Sequence, residues 1–258
     1  MKPRKLVDYH VHSVFSSDAK STIMEMCQSA VRLGLGEIGF AEHMDFQIDP
    51  ISSYLDYARY TEEIQQARRD FSDRLVIRKG VEIDYQSRFE PQITEWLDDK
   101  QFDFVVGSVH YIDGVMIDST YNWGIDLGKV YGKYLSEVRS SVESGLFDVV
   151  GHLDIVGRYV CERVHVEPSQ FGVSFEEVLG IVAQSNVYLE INSKAINQGY
   201  ADTMPGRRLV EDYLSFGGRR VSVGSDAHSS REVGRGVAEA YQFLFGSGLD
   251  DVMMLFAS

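Results

Sequence analysis

The sequence predicts an α/β barrel built as one domain over residues 1–258, and three observations predict it. Short runs rich in Val, Ile and Phe alternate with longer amphipathic segments, the rhythm of a parallel sheet whose strands are joined by helices. His12, Glu42, Glu82, His110, His152, Asn192 and Asp226 all fall at or just past the C-terminal end of such a run. No low-complexity stretch or Pro/Gly/Ser linker divides the chain. An open doubly wound sheet would satisfy the alternation alone. The polar residues favour closure, because only a barrel turns that edge into a ring and brings the groups from seven strands to one pocket.

The strands are expected at Lys5–His12, Glu37–Glu42, Leu75–Ile83, Phe102–Val109, Asp148–His152, Val187–Asn192 and Arg220–Gly224. Their apolar character is that of strands buried on both faces. Helical patterns lie between and after them: Thr22–Leu33, Ser53–Phe71, Phe89–Leu97, Leu127–Ser144, Phe175–Ser185, Gly206–Phe216 and Arg231–Leu244. Ser21, with Glu25 four positions on, reads as the N-cap of the first. Gly34, Gly145, Gly217 and Gly218 read as left-handed helix ends.

Composition narrows the function classes. Lys plus Arg is 25 against 39 for Asp plus Glu, a net charge of −14. An acidic surface repels nucleic-acid phosphates over about a Debye length, roughly 8–10 Å, so nucleic acid is an unfavoured partner. A small phosphorylated substrate is not excluded, because bound metal ions reverse the charge locally. Cys27 and Cys161 lack a neighbouring cysteine at metal-ligand spacing and fit a reducing cytoplasm. The N-terminal residues carry no signal-like apolar run, and no stretch approaches the ~20 apolar residues of a transmembrane helix. The sequence therefore reads as cytoplasmic, with no membrane partner; oligomeric state is not legible.

The chemistry is concentrated in the histidines. Residues two apart on a strand share a face, so His10 and His12 project together and can chelate one ion, with Asp8 placed behind them to orient a ligand. His43 follows the second strand. Glu82 lies between Val81 and Ile83, where an unpaired carboxylate would be costly and a cation is needed. His110, His152, Asp226 and His228 end the fourth, fifth and seventh strands. Each has an ordinary reading as a satisfied core or loop residue. Together those readings fail, since six of the chain's seven histidines lie at strand ends and only His165 does not. Imidazole and carboxylate without thiolate suit zinc, manganese or iron. The ligands are too many for one tetrahedral ion, so two or three divalent ions are expected, with Glu82 bridging. Such clusters activate water and clamp phosphoryl oxygens.

Asp-x-His-x-His at Asp8, Ala-Glu-His at Ala41, Gly-x-Glu-x-Asp-Tyr at Gly80, Gly-Ser-Val-His at Gly107, Gly-His-Leu-Asp at Gly151 and Gly-Ser-Asp-Ala-His at Gly224 occur in that order. Together they resemble the polymerase-and-histidinol-phosphatase (PHP) superfamily, and most closely its stand-alone histidinol-phosphate phosphatases, from Asp8 to about Gly236. The resemblance implies a distorted (β/α)7 barrel with a trinuclear site at the C-terminal edge. It implies one metal on His10, His12, Glu82 and Asp226, a second on Glu82, His110 and His152, and a third on Asp18, His43 and His228. It further implies a hydroxide bridging the metals as nucleophile, with His228 or a water assisting the leaving alkoxide, so that Glu82, Asp226 and His228 are the catalytic candidates. Arg158 sits where the family's phosphate-binding arginine lies. After the sixth strand the family continues to an arginine where this chain has Asn197, with Lys194 the nearest cation, so that either Lys194 supplies the missing charge or the substrate differs from histidinol phosphate.

The resemblance thus implies a phosphomonoesterase acting on histidinol phosphate in histidine biosynthesis. The same site would serve a nuclease or a protein-tyrosine phosphatase, as in other members of the superfamily. A non-catalytic metal-binding module would be expected to lack ligands, and none of the expected ligands is missing here.

Overall fold

The eight-stranded sheet follows chain order around the molecule. Its strands are β1 (Val7–Val11), β2 (Glu37–Asp45), β3 (Val76–Asp84), β4 (Phe104–Ser108), β7 (Val149–Val150), β8 (Tyr188–Asn192), β9 (Arg220–Gly224) and β10 (Met253–Met254). The hairpin β5 (Tyr111–Ile112) and β6 (Val115–Met116) stands outside it. The computed structural model describes residues 5–47, 55–117, 127–158, 175–197, 202–246 and 253–256. Every neighbouring pair in the large sheet is parallel. β1 and β9 close the ring through the Val11–Ala227 bridge, with Asp226 N donating to His10 O at 2.8 Å or less and His12 N donating to Ala227 O. Seven parallel strands thus form a nearly closed barrel, as the alternating pattern predicts.

Helices cover its outside. α1 (Ile23–Leu33), α2 (Tyr57–Asp70) and α3 (Glu90–Asp98) pack Met26, Tyr60, Ile64 and Ile93 onto Ile38, Phe40, Val81 and Ile83. α4 (Leu127–Ser144), α5 (Glu176–Gln184), α7 (Arg207–Ser215) and α8 (Val237–Gly246) share a second cluster with Val150, Leu189, Ile191, Val221 and Val223. The short α6 (Lys194–Asn197) follows β8 directly. A third, smaller cluster joins Tyr9, Ala41, Phe104, Val106, Val149 and Leu255. Its members come from strands around the ring, so it fills the interior.

Four local features differ from the expectations. The first helix is capped by Thr22 instead of Ser21. The Thr22 hydroxyl accepts from Glu25 N while the Glu25 carboxylate accepts from Thr22 N, a complete capping box; Ser21 Oγ instead accepts from Ser230 N. The last helix begins at Val237, six residues later than Arg231, because Gly234 and Gly236 both take φ of +71° and a left-handed residue interrupts a right-handed helix. Gly218 has no positive φ; it packs against the Tyr213 ring, which an added Cβ would meet at 2.2 Å. Finally, β10 has no expected counterpart. It pairs with the start of β9 at Arg220 and Val221. Beside it Leu255 is 5% exposed, and Phe256 meets the Tyr9 ring edge-on at 5.4 Å.

Candidate metal centre

Register explains why six histidines meet. β2 and β3 pair His43 with Glu82 and Asp45 with Asp84. In β1 the register shifts by one residue between Asp8 and Val11, and a bulge of that kind re-aims side chains. His10 and His12 point to Glu82. The Asp8 carboxylate accepts from Ser225 N at 2.8 Å, Ser225 Oγ at 2.6 Å and Gly234 N at 2.8 Å. Asp8 therefore anchors the loop that carries Asp226 and His228, and does not hold an imidazole. Gly224 makes room: a Cβ there would lie 2.3 Å from His10 Cβ.

Glu82 is the centre. Its Oε2 lies 3.4 Å from His10 Nε2, 3.7 Å from His12 Nε2 and 3.0 Å from His43 Nδ1. Its Oε1 lies 2.9 Å from His152 Nε2 and 3.5 Å from His110 Nε2, and accepts from Ser108 Oγ at 2.6 Å. Asp226 Oδ1 stands 3.5 Å from His12 Nε2 and 3.4 Å from His228 Nδ1. The exposed side is closed by Asp18, with Oδ2 3.0 Å from His228 Nε2 and Oδ1 3.6 Å from His43 Nε2. All nine residues named as ligands from the sequence are thus in one cluster. Asp226 adopts φ of +52° to reach it, a left-handed backbone that aspartate tolerates better than most residues.

Charge and burial together call for a cation. Burial raises the pKa of Glu82, but His10 and His110 outweigh it and hold the carboxyl well below its usual range. Burial disfavours charge on His10, yet the Glu190 and Glu82 carboxylates lift its pKa well above the ordinary value. Burial and the neighbouring His43 and His228 push His12 well below. Asp226 is held low against burial by Lys194, His12 and His10. His10 Nε2, His12 Nε2 and His43 Nδ1 are buried and have no hydrogen-bond partner. Buried polar atoms without partners cost about 1–3 kcal/mol each. A divalent ion would satisfy them, and its charge would replace the protons. Sets within 4.8 Å are His10–His12–Glu82, Glu82–His110–His152 and His12–His43–His228, which is the donor chemistry and grouping a multinuclear imidazole–carboxylate centre requires.

Several groups that act behind the cluster escaped the sequence reading. Glu190 Oε1 is 2.5 Å from His10 Nδ1, and its Oε2 accepts from His152 N at 2.7 Å. It fixes two candidate ligands at once. The available signal was a carboxylate between Leu189 and Ile191, the logic already applied to Glu82. Glu42, expected in the pocket, turns away. Its carboxylate accepts from Ser13 N and Oγ and from Ser16 Oγ, while Ser16 Oγ accepts from His43 N at 3.0 Å. Strand alternation forces this, since adjacent Glu42 and His43 face opposite sides.

Among the substrate candidates, Lys194 reaches the cluster: its Nζ is 2.9 Å from Asp226 Oδ1 and 3.3 Å from His228 Nδ1. Burial lowers its pKa, but Asp226 more than compensates, so the ammonium stays charged. Arg158 lies half-buried in the helical segment 155–158 that follows the turn after His152. Asn197 ends α6, with its side chain outside the described structure. Cys161 and His165 lie outside the described residues as well.

A parallel barrel that gathers hard ligands at the C-terminal ends of its strands defines the class of metal-dependent barrel hydrolases. The chain belongs to the PHP family, whose domain model matches residues 8–194. The histidinol-phosphatase of Lactococcus lactis is 29% identical over 234 residues, covering 88% of this chain and 86% of that protein. A probable histidinol-phosphatase of Deinococcus radiodurans is 30% identical over 256 residues, covering 91% of each. The crystal structure of the Lactococcus lactis histidinol phosphate phosphatase, in complex with zinc, L-histidinol and phosphate, superposes with a TM-score of 0.85 at 26% identity, over 97% of this chain and 95% of that one.

Proposed function

We propose that this protein hydrolyses L-histidinol phosphate to L-histidinol and phosphate. It is a metal-dependent phosphoric monoester hydrolase of the PHP family. The observation that carries the reading is the Glu82 carboxylate, which stands within 3.7 Å of five imidazoles from four strands or strand ends. The similarity to a protein that binds zinc, L-histidinol and phosphate supports the substrate.

His10, His12, Glu82 and Asp226 would hold one ion, Glu82, His110 and His152 a second, and Asp18, His43 and His228 a third. Divalent ions at such a centre lower the pKa of water and stabilise charge on phosphoryl oxygens. The chain's own residues do the rest. Glu190 and Ser108 hold His10, His152 and Glu82 in fixed orientations. Water adds to phosphorus, the bond from phosphorus to the alkoxide oxygen breaks, and the alkoxide takes a proton. Water entering at the partly exposed side beside His228 is placed to deliver that proton. The protonated Lys194 beside Asp226 is placed to meet a phosphate oxygen, the role that an arginine at position 197 would otherwise fill. Arg158 is the second phosphate-binding candidate.

The test is turnover by the metal-loaded protein of histidinol phosphate, p-nitrophenyl phosphate, a phosphotyrosine peptide and a single-stranded oligonucleotide. Histidinol phosphate should have the highest kcat/KM. Turnover of the oligonucleotide with none of histidinol phosphate refutes the reading. Salt separates the two further: a protein making 6–10 phosphate contacts loses roughly 10³–10⁵-fold in affinity between 50 and 200 mM salt, and a small-molecule phosphatase should change far less. No described helix is long and apolar enough to cross a membrane.

A further inference from the structure

Asp45 is a charged group at the centre that the nine proposed ligands leave without a task. It is the last residue of β2, two beyond His43, so both side chains leave the strand on one face. Ligand atoms of His43, Asp45 and His110 lie within 4.8 Å of one another. The Oδ1 atom of Asp45 is buried and has no hydrogen-bond partner. Asp84, its neighbour across the ladder, is fully buried and already satisfied, accepting from His110 N at 2.7 Å and Gln86 Nε2 at 2.7 Å.

A second cation is therefore wanted beside the metal cluster. The nitrogens of the two imidazoles decide its nature. His43 turns Nδ1 to Glu82 and Nε2 to Asp18; His110 turns Nε2 to Glu82 and Nδ1 towards Asp84. Both imidazoles are already assigned to the cluster, His43 through the nitrogens that face Glu82 and Asp18 and His110 through the one that faces Glu82. A further metal on Asp45 would have a single protein ligand. A cation that brings its own N–H donors needs only the carboxylate. All three residues of this set are partly exposed, so a substrate can reach them.

We propose that Asp45 is a specificity-determining residue that receives the ammonium group of the substrate. This rests on the phosphatase reading and deepens it: the site selects phosphomonoesters that carry an amine next to the carbon bearing the ester oxygen. Histidinol phosphate is one such molecule. The carboxylate binds the part of the substrate that does not react, and the amine is positioned while the phosphoryl group meets the cluster.

Two substrates that differ only in the amine, 2-aminoethyl phosphate and ethyl phosphate, test this on the metal-loaded full chain together with histidinol phosphate. The native protein should prefer the amine, and Asp45→Asn should reduce that preference by roughly 10- to 100-fold, as the loss of a charge-assisted hydrogen bond does. Metal content measured on the same samples should not change. Asp45→Ser replaces the amide variant if that one fails to fold. Equal losses on both substrates, or loss of metal, would assign Asp45 to the centre itself and overturn the proposal. So would a native protein indifferent to the amine. If the native protein prefers 2-aminoethyl phosphate over ethyl phosphate but leaves histidinol phosphate intact, the substrate named above is wrong and the role of Asp45 stands.

Discussion

Glu82 shows how one side chain can be both the costliest and the most useful in a core. It is 1% exposed, and a buried carboxylate survives only with compensating charge. Its two oxygens divide the imidazoles into two groups, His10, His12 and His43 on Oε2, His110 and His152 on Oε1. That division is what a bridging ligand needs. Glu82→Ala should remove both metal retention and phosphatase activity, measured by elemental analysis and turnover on one preparation; a fully metallated, active variant would refute the bridging role. Glu190→Gln is milder. The amide keeps the shape but cannot accept from His10 and His152 with a full negative charge. Metal affinity should fall about 10–100-fold, the usual cost of losing a group that orients a ligand. A competitive chelator titration reads that change.

At the scale of elements, strand ends place the chemistry and small terminal pieces complete the wall. β10 is only two residues long, yet it carries Leu255 to within the interior cluster with Tyr9, Phe104 and Val149. Leu255→Ala should destabilise the protein by about 2–4 kcal/mol, seen as a lower denaturation midpoint with the metal content of the folded protein unchanged. Seven of the eight strands were legible because buried parallel strands read as continuous apolar runs, even where, as in β7, only two residues pair. Met253 and Met254 were not, because they lack the polar residue at the strand end that marked the other seven. Eight of the nine proposed ligands were legible as residues at strand ends, while Asp18, in a turn six residues past His12, came only through the family resemblance. Glu190 and Asp45 were not, since their meaning depends on which neighbour across the ladder they face. The Arg231 helix start failed for a related reason: the hydrophobic pattern continues through Gly234 and Gly236, and only the backbone shows that they turn left-handed.

At the scale of the whole molecule, the centre ties metal, protons and folding together. In the metal-free protein His10 and His43 are held well above the ordinary imidazole pKa, in each case because neighbouring carboxylates outweigh burial, and His110 is lifted to about 9 in the same way, by Glu82. A group whose pKa is raised by folding stabilises the fold fully below its unfolded value, near 6.5, and that contribution disappears as pH rises through the folded value. His12 is shifted the other way, so its contribution is lost as pH falls below about 6.5. Glu82 and Asp226, both held low, add a further loss at acid pH. The contribution of these cluster groups to the metal-free protein should therefore be greatest near pH 6.5 and should weaken between there and about 9. Metal binding reverses the alkaline slope. The ions displace the imidazole protons, so the loaded protein enters that range with its histidines already deprotonated and has nothing to lose there. Thermal unfolding with and without a chelator at pH 6.5, 7.5 and 9 measures this directly, and the gap between the two midpoints should widen at each step. In a chain of this size each 1 kcal/mol corresponds to about 2–4 °C. A gap that stays constant from pH 6.5 to 9 would mean that protons do not take the place of metal at this centre, and that the carboxylate–imidazole cluster is held together by packing alone.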